Sequence, residues 1–241
     1  MNLCIDTHSH TLASGHAYST IREMAKAASE KGLIALAITE HASTMPESCG
    51  NFYFSNLKVV PRRMYGVNLL LGVELNILDE EGNTDLPLSL LKSVDIAIAS
   101  IHTPCFQEKR GIEENTNAYI CAMKNPYIDI IGHPDDSRFP IDYERLVYAA
   151  KETGTLLEVN NTSLSPNSFR EGAVENIKTM LSLCKKYHVS ITTGSDAHVD
   201  IDTGNFTYTK QILESCAFPE ELVVTTNWDK LRKFMKRNKK M

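Results

Sequence analysis

The chain has 241 residues, 42% of them apolar and 23% charged, with a formal net charge of −5. Those values belong to a folded globular protein and exclude a disordered chain; no apolar run is long enough to span a bilayer. Seven basic residues and no acidic one lie between Lys230 and Lys240, which leaves −12 on the rest, a poor surface for long nucleic acid.

The first apolar run, Leu3–Ile5, leads into Asp6-Thr7-His8-Ser9-His10, and His16 follows in the next loop. Thr20 and Glu23 then form a capping-box pattern, with Ile21, Met24, Ala25 and Ala28 at helical spacing and Gly32 as the stop. Further apolar runs are Leu33–Ile38, Leu69–Leu75, Val94–Ile101, Ile128–Ile131, Leu156–Val159 and Val189–Thr193. Their near-continuous Ile, Val, Leu and Ala content suits strands buried on both faces of a parallel sheet. Helices are predicted at Glu114–Met123, at Asp142–Glu152 with Gly154 beyond its end, and at Ala173–Tyr187. Lys185-Lys186-Tyr187-His188 closes the last of these, and His188 reads as a structural helix-end residue. The basic stretch from Lys230 reads as another solvated helix end, with an anionic partner as the alternative.

Length alone allows one α/β barrel or two small domains. Strands alternating with helices imply right-handed crossovers and parallel strands. A distorted seven-stranded barrel is preferred to an open sheet, because polar residues end so many different strands; an open sheet concentrates its site at one switch point. Met1–Asp6 lacks a signal-peptide layout, so a cytoplasmic location is expected. The six cysteines form no C-x-x-C pair and read as reduced, mostly buried thiols.

Seven of the eight histidines stand at or just after strand-like runs: His8, His10, His16, His41, His102, His133 and His198. Glu74 ends the third run and Asp196 follows the seventh. In an extended chain His8 and His10 point to the same side, so both can reach one metal. Imidazoles with a few carboxylates and no thiolate suit Zn, Mn or Fe. Nine ligands serve two ions richly or three sparingly, and three ions need a bridging carboxylate, either Glu74 or Asp196. Such a cluster attracts a phosphate and lowers the pKa of bound water, so the expected nucleophile is a metal-activated hydroxide. No nucleophile elbow and no Gly-rich phosphate loop occur.

These residues resemble the PHP (polymerase and histidinol phosphatase) superfamily of metal-dependent hydrolases. The matching pieces are Asp6-x-His8-x-His10, His16, Thr39-Glu40-His41, Gly72-x-Glu74, His102, Gly132-His133-Pro134 and Gly194-Ser195-Asp196-x-His198. Ser14-x-His16-Ala17-Tyr18-Ser19-Thr20 and Glu158-x-Asn160-Asn161 are similar to the small bacterial single-domain PHP phosphatases of the YcdX type. The resemblance implies a single domain over residues 1–241, a TIM-like (βα)7 barrel, and three zinc ions in a deep cleft. It groups His8, His10, Glu74 and Asp196 at one ion, His16, His41 and His198 at a second, and Glu74, His102 and His133 at a third. It also implies hydrolysis of small phosphate monoesters and, in some relatives, trimers. Glu40 departs from the family's usual Asp at that place; if it orients His41, its longer arm shifts the geometry. Asp6 is a second candidate for such a supporting role.

Asn160 and Asn161 either cap a turn or bind phosphate or water. Arg62 and Arg170 are either surface residues or phosphate partners. The loop Ser43–Ser55, with Phe52, Tyr53 and Phe54, is expected to roof the cleft. The leading function is a metal-dependent phosphomonoesterase. The alternatives are a histidinol-phosphatase, a phosphodiesterase or 3′–5′ exonuclease, and a non-catalytic metal-binding module.

Overall fold

Short apolar runs separated by polar loops give a chain whose strands bury both faces, and the computed structural model realises that pattern around one ring of strands. It describes residues 1–106 and 110–235. Strands β1 (Ile5–Asp6), β2 (Ala35–His41), β3 (Arg63–Met64), β4 (Val67–Asn76), β5 (Ala97–Ser100), β6 (Ile130–Ile131), β7 (Leu156–Asn160) and β8 (Ile191–Gly194) form a single sheet. Its order is β1-β2-β4-β5-β6-β7-β8, all parallel, with β3 as an antiparallel flap on the edge of β4. Ser9 bridges in parallel to Ala197, and His10 N–H donates to Ala197 C=O at 2.8 Å, so β8 closes back on β1. The result is a distorted, nearly closed (βα)7 barrel.

Eight helices pack around it among the described residues: α1 (Ile21–Glu30), α2 (Asn51–Asn56), α3 (Leu88–Leu91), α4 (Ile112–Met123), α5 (Tyr143–Thr153), α6 (Ala173–Tyr187), α7 (Thr207–Ser215) and α8 (Trp228–Phe234). The Thr20–Glu23 capping box forms, and Asp142 caps α5 by accepting from Arg145 N–H. Gly154 ends α5 in the left-handed conformation, and His188 does the same for α6 at φ 56°. α1 buries Met24, Ala25 and Ala28, and α6 buries Ile177, Met180, Leu181 and Cys184 against the outside of the barrel. Each large side chain so buried contributes roughly 1.5–3 kcal/mol.

Alternation along the strands sorts the barrel interior into layers. Ile5, Ala35, Ala37, Leu70, Ile98, Ile130 and Leu156 form an apolar floor, sealed from below by Val224 and by Leu231 of α8. Two residues further along the same inward faces come Thr39, Gly72, Ser100, Gly132 and Glu158, and above them His41 and Glu74. Polar side chains therefore occupy the C-terminal mouth, where a (βα) barrel builds its site.

Several expectations need correction. The β3 flap and helices α2, α3 and α7 have no counterpart in the predicted elements, and α2 begins inside the stretch read as the loop Ser43–Ser55; α8 is the helix whose end the basic stretch from Lys230 forms. Cys105 and Cys184 are buried, but the other four thiols are only half-buried. No described helix is long and apolar enough to cross a membrane. Of the basic segment, Lys230, Arg232 and Lys233 lie on α8, the last two in its final turn, and the part beyond Met235 lies outside the described residues.

Candidate metal centre

The barrel mouth brings all nine singled-out residues into one cluster. His41 ends β2 and Glu74 lies near the end of β4; His8, His10, His102, His133, Asp196 and His198 follow the ends of β1, β5, β6 and β8. Glu74 is the hub. Its Oε1 lies 2.9 Å from His133 Nε2 and 3.2 Å from His102 Nε2. Its Oε2 lies 3.3 Å from His8 Nε2, 3.4 Å from His10 Nε2 and 3.0 Å from His41 Nδ1. Asp196 Oδ1 faces His8, His10 and His198 at 3.5–3.7 Å. His16 stands exposed at the rim, its ring 5.0 Å from that of His41 and 4.9 Å from that of His198.

Hydrogen bonds behind the rings decide which nitrogen faces inward. His8 Nδ1 donates to Glu158 Oε1 at 2.8 Å, and His102 Nδ1 donates to Asn76 Oδ1 at 2.7 Å. His198 Nδ1 donates to the Asp196 carbonyl at 3.0 Å. His10 Nδ1 donates to Ser14 Oγ at 3.1 Å, whose own proton goes to Glu40 Oε2. Whenever such a ring is neutral, its Nε2 lone pair faces the cluster, the tautomer that binds metal. His41 Nδ1 is buried with no hydrogen bond in good geometry.

The protonation balance points the same way. Burial alone would lower His8, but Glu158, Glu74 and Asp196 hold its pKa well above the usual value; His10 stands at about 9 for the same kind of reason, through Asp196 and Glu74. Burial pushes His41 well down and takes His198 to about 4, with neighbouring charged imidazoles adding to the effect. Glu74 stays well below the carboxylate range despite its burial, held there by His8, His102 and His41. The carboxylates demand positive charge, and the crowded rings cannot all take protons to supply it. Compact divalent cations fit that donor set.

Two backbone positions at the centre are unusual. His133 has φ 28° and Asp196 φ 56°, conformations that L residues rarely adopt. Such strain persists where surrounding bonds over-determine it. His133 N–H donates to Glu158 Oε2 at 2.9 Å, and Asp196 N–H donates to the His8 carbonyl at 2.9 Å.

Glu158 was not singled out as a site residue. It is fully buried on the inward face of β7, the strand that brings no histidine. Its carboxylate has room because Gly194 faces it: a Cβ at Gly194 would overlap Glu158 Oε1 and reach within 2.5 Å of the His8 Cβ. The available signal was Leu-Leu-Glu-Val-Asn, an acid inside an apolar strand, the same signal that marked Glu74. Asn76 was missed as well; its amide is fixed by Asp85 Oδ2 at 2.7 Å.

The other expectations divide. Arg170 is not a surface residue: its side chain is 7% exposed and forks onto Asp196 Oδ2, with Nη1 and Nη2 both at 3.1 Å. Asn160 supports both partners, donating to Asp196 and accepting from Arg170. Asn161 caps the first turn of α7 rather than its own turn, its Oδ1 accepting from the backbone N–H groups of Tyr208 and Thr209. Arg62 pairs with Asp95 at 2.6 Å, away from the cluster. Glu40 does not reach the His41 ring; it accepts from Thr11, Ser14 and Tyr53, and supports His10 through Ser14. Asp6 binds the N–H groups of Ser195 and Gly204 and touches no ring, so it braces the loop that carries Asp196.

The cluster floors a cleft of about 530 Å³. From the Ser43–Ser55 loop only Met45 lines it. Phe52 is exposed elsewhere and Phe54 is buried in the core, so the expected roof is not built from them. Phe139 and Phe169 form the outer wall instead.

The model of the PHP domain matches residues 6–191. The chain belongs to the PHP family. Among PHP relatives, a probable phosphatase of Thermoanaerobacter sp. is 47% identical over 240 residues, covering 100% of this chain and 97% of its own. A probable phosphatase of Clostridium novyi is 46% identical over 241 residues, covering 100% and 98%. The fold is similar to histidinol phosphate phosphatase from Lactococcus lactis subsp. lactis, complexed with zinc, L-histidinol and phosphate (TM-score 0.57, 16% identity, 90% and 95% covered). It is also similar to a chain of archaeal ribonuclease P with mature tRNA (TM-score 0.62, 16% identity, 98% and 92% covered). At such identities the likeness speaks of fold, and one fold hosts several activities.

Proposed function

We propose that this PHP protein is a metal-dependent hydrolase of small phosphate monoesters. The observation that carries the reading is the inward Nε2 set around Glu74, with the Arg170 guanidinium beside it in the same cleft. Relatives that share the whole chain carry the name probable phosphatase.

The proposed cations are three, zinc first, with Mn or Fe as alternatives. One is held by His8, His10, Glu74 and Asp196, one by His16, His41 and His198, and one by Glu74, His102 and His133. The division of Glu74 favours its bridging role, since Oε1 faces His102 and His133 while Oε2 faces His8 and His10. Bound divalent cations supply a water nucleophile at neutral pH and offset the charge of the phosphate.

The chain's own contribution is orientation. Glu158, Ser14 and Asn76 keep three imidazoles in the tautomer that points Nε2 inward. Arg170 is pinned by Asp196, Asn160 and Ser163, which leaves one Nη2 N–H and the Nε–H to donate to a phosphate oxygen. Because the guanidinium is already fixed, little ordering cost remains when phosphate arrives.

A deep cleft under an acidic body favours a small metabolite over long nucleic acid. The test is a phosphorylated-metabolite panel run beside single-stranded DNA on the metal-loaded protein. Release of inorganic phosphate from monoesters is expected. DNA degradation without monoester turnover would establish the nuclease alternative, and no turnover of either would leave a binding module.

A further inference from the structure

Two cationic features that the metal centre does not use meet at the opposite end of the barrel. Arg62 stands just before β3, and Arg232 lies in the last turn of α8. With Lys92 they line a cavity of about 400 Å³ between the start of β4, the loop before β5 and α8. Leu70, Trp228 and Met235 supply much of its apolar wall. Leu70 and Met235 are also part of the buried barrel floor, so the cavity is cut into packed structure and is not a gap between surface side chains.

The Arg62 guanidinium is already fixed. Its Nε lies 2.6 Å from Asp95 Oδ2, and Nη1 donates to the carbonyls of Leu57 at 2.7 Å and Val60 at 2.9 Å. Asp95 is tied in turn, its Oδ2 accepting from Leu71 N–H at 2.9 Å. Of the five guanidinium N–H groups, the two on Nη2 make no hydrogen bond among the described residues. Lys92 has no ion-pair partner among the described residues; its Nζ lies 5.5 Å from the Tyr127 ring centroid. Three cations thus share the lining with one carboxylate, on a chain whose formal net charge is −5. The sequence that continues from Met235 adds Lys236, Arg237, Lys239 and Lys240 and no acid. A concave basic site in an acidic body concentrates anions locally.

We infer that this cavity is a second binding site, for a small organic oxyanion with an apolar body. The oxyanion meets Arg62 Nη2 and Lys92, and the body lies against Leu70, Trp228 and Met235. Arg suits a multi-oxygen anion because its donors form a planar fork, and a fork fixed in advance costs little ordering when the ligand binds. The volume lies within the range of small-molecule sites. A bare inorganic anion would leave the apolar wall uncovered, and a neutral apolar molecule would leave the cations unmatched. No lining residue is shared with the cleft above the metal centre, so the site stands or falls independently of the phosphatase reading.

Hexane-1-sulfonate is the probe, because it carries both parts and no phosphoester; hexan-1-ol and methanesulfonate carry one part each. Binding to the full-length protein is read from the fluorescence of Trp228, the chain's one tryptophan, which stands in the cavity wall. Hexane-1-sulfonate is expected to give a saturable change with an affinity about tenfold above that of either fragment. Added salt should weaken the sulfonate and leave the alcohol unchanged. Lys92→Ala combined with Arg232→Ala removes two exposed side chains, so the fold should persist by circular dichroism, and hexane-1-sulfonate should bind about tenfold more weakly. Lys26→Ala combined with Lys151→Ala removes the same charge from exposed positions outside the lining and should stay within about twofold of native. No saturable change with hexane-1-sulfonate, equal affinity for hexan-1-ol, or native affinity in the Lys92→Ala, Arg232→Ala protein overturns the site. So does an equal loss in both double variants, which would reduce the effect to overall charge.

Discussion

Glu158→Gln is the most informative substitution, because it replaces one carboxylate oxygen by an amide NH2, removing an acceptor and a charge at almost constant volume. The native carboxylate has two jobs. Oε2 accepts from His133 N–H at 2.9 Å and from Asn160 Nδ2 at 3.2 Å, and Oε1 accepts from His8 Nδ1 at 2.8 Å. A glutamine must place its single carbonyl oxygen where the two donors are, which turns its NH2 toward His8. His8 Nδ1 then has to accept, so the ring's proton moves to Nε2, the atom that faces Glu74. An imidazole protonated there cannot ligate. Removing such a partner typically costs 10–100-fold in metal affinity, equivalent to about 1.4–2.8 kcal/mol. The assay is competition with a fluorescent zinc chelator, with circular dichroism to show that the fold persists and turnover measured at limiting and saturating metal. Weaker metal binding, with turnover partly recovered at high metal, is expected. Native affinity in a folded Glu158→Gln protein would refute the tautomer argument.

Other changes test different parts of the structure. Gly194→Ala pushes a methyl group into Glu158 and His8. Overpacking of that kind costs about 1–3 kcal/mol, a fall of roughly 2–12 °C in Tm for a chain of this size, and a native melting curve would contradict the packing described. Arg170→Lys keeps the charge but loses the fork onto Asp196. Its kcat/KM for a monoester should fall on the order of tenfold to a hundredfold, and turnover within twofold of native would remove Arg170 from phosphate binding. Chelation should lower Tm, because ligands that bind only the folded state stabilise it by about 2.7 kcal/mol at a hundredfold excess over Kd. A melting temperature indifferent to chelator and to added zinc would argue against cations in the cluster.

The barrel was legible because its strands bury both faces, and continuous apolar runs such as Leu69–Leu75 carry that signal without help from tertiary contacts. The strand ends were legible because His and Glu interrupt those runs abruptly. What lay beyond reach had physical causes. The β3 flap has two residues and pairs only with β4, too short for periodicity to register. Helix α8 looked like a charged terminus because most of its apolar content is spent on the barrel floor, where Leu231 is fully buried. The roof was misplaced because three consecutive aromatics point different ways on a six-residue helix, Phe54 inward and Phe52 to solvent. Phe169 stood alone in a polar stretch and gave no pattern. Arg170 and Arg62 look alike in sequence, and only the fold puts one beside Asp196 and the other beside Asp95. Glu40 was read from its neighbour in sequence, yet adjacent residues on a strand face opposite sides, so it cannot share the direction of the His41 ring.

Everything proposed for the cleft depends on the nine-residue cluster holding several divalent cations through Glu74. The most direct measurement is inductively coupled plasma analysis of the purified protein and of Glu74→Ala, with monoester turnover followed on the same samples. More than one transition-metal ion per chain is expected, three at full occupancy, with simultaneous loss of metal and turnover in Glu74→Ala. Native protein without tightly bound metal and inactive after adding Zn or Mn, or Glu74→Ala with full metal content and full turnover, would contradict it.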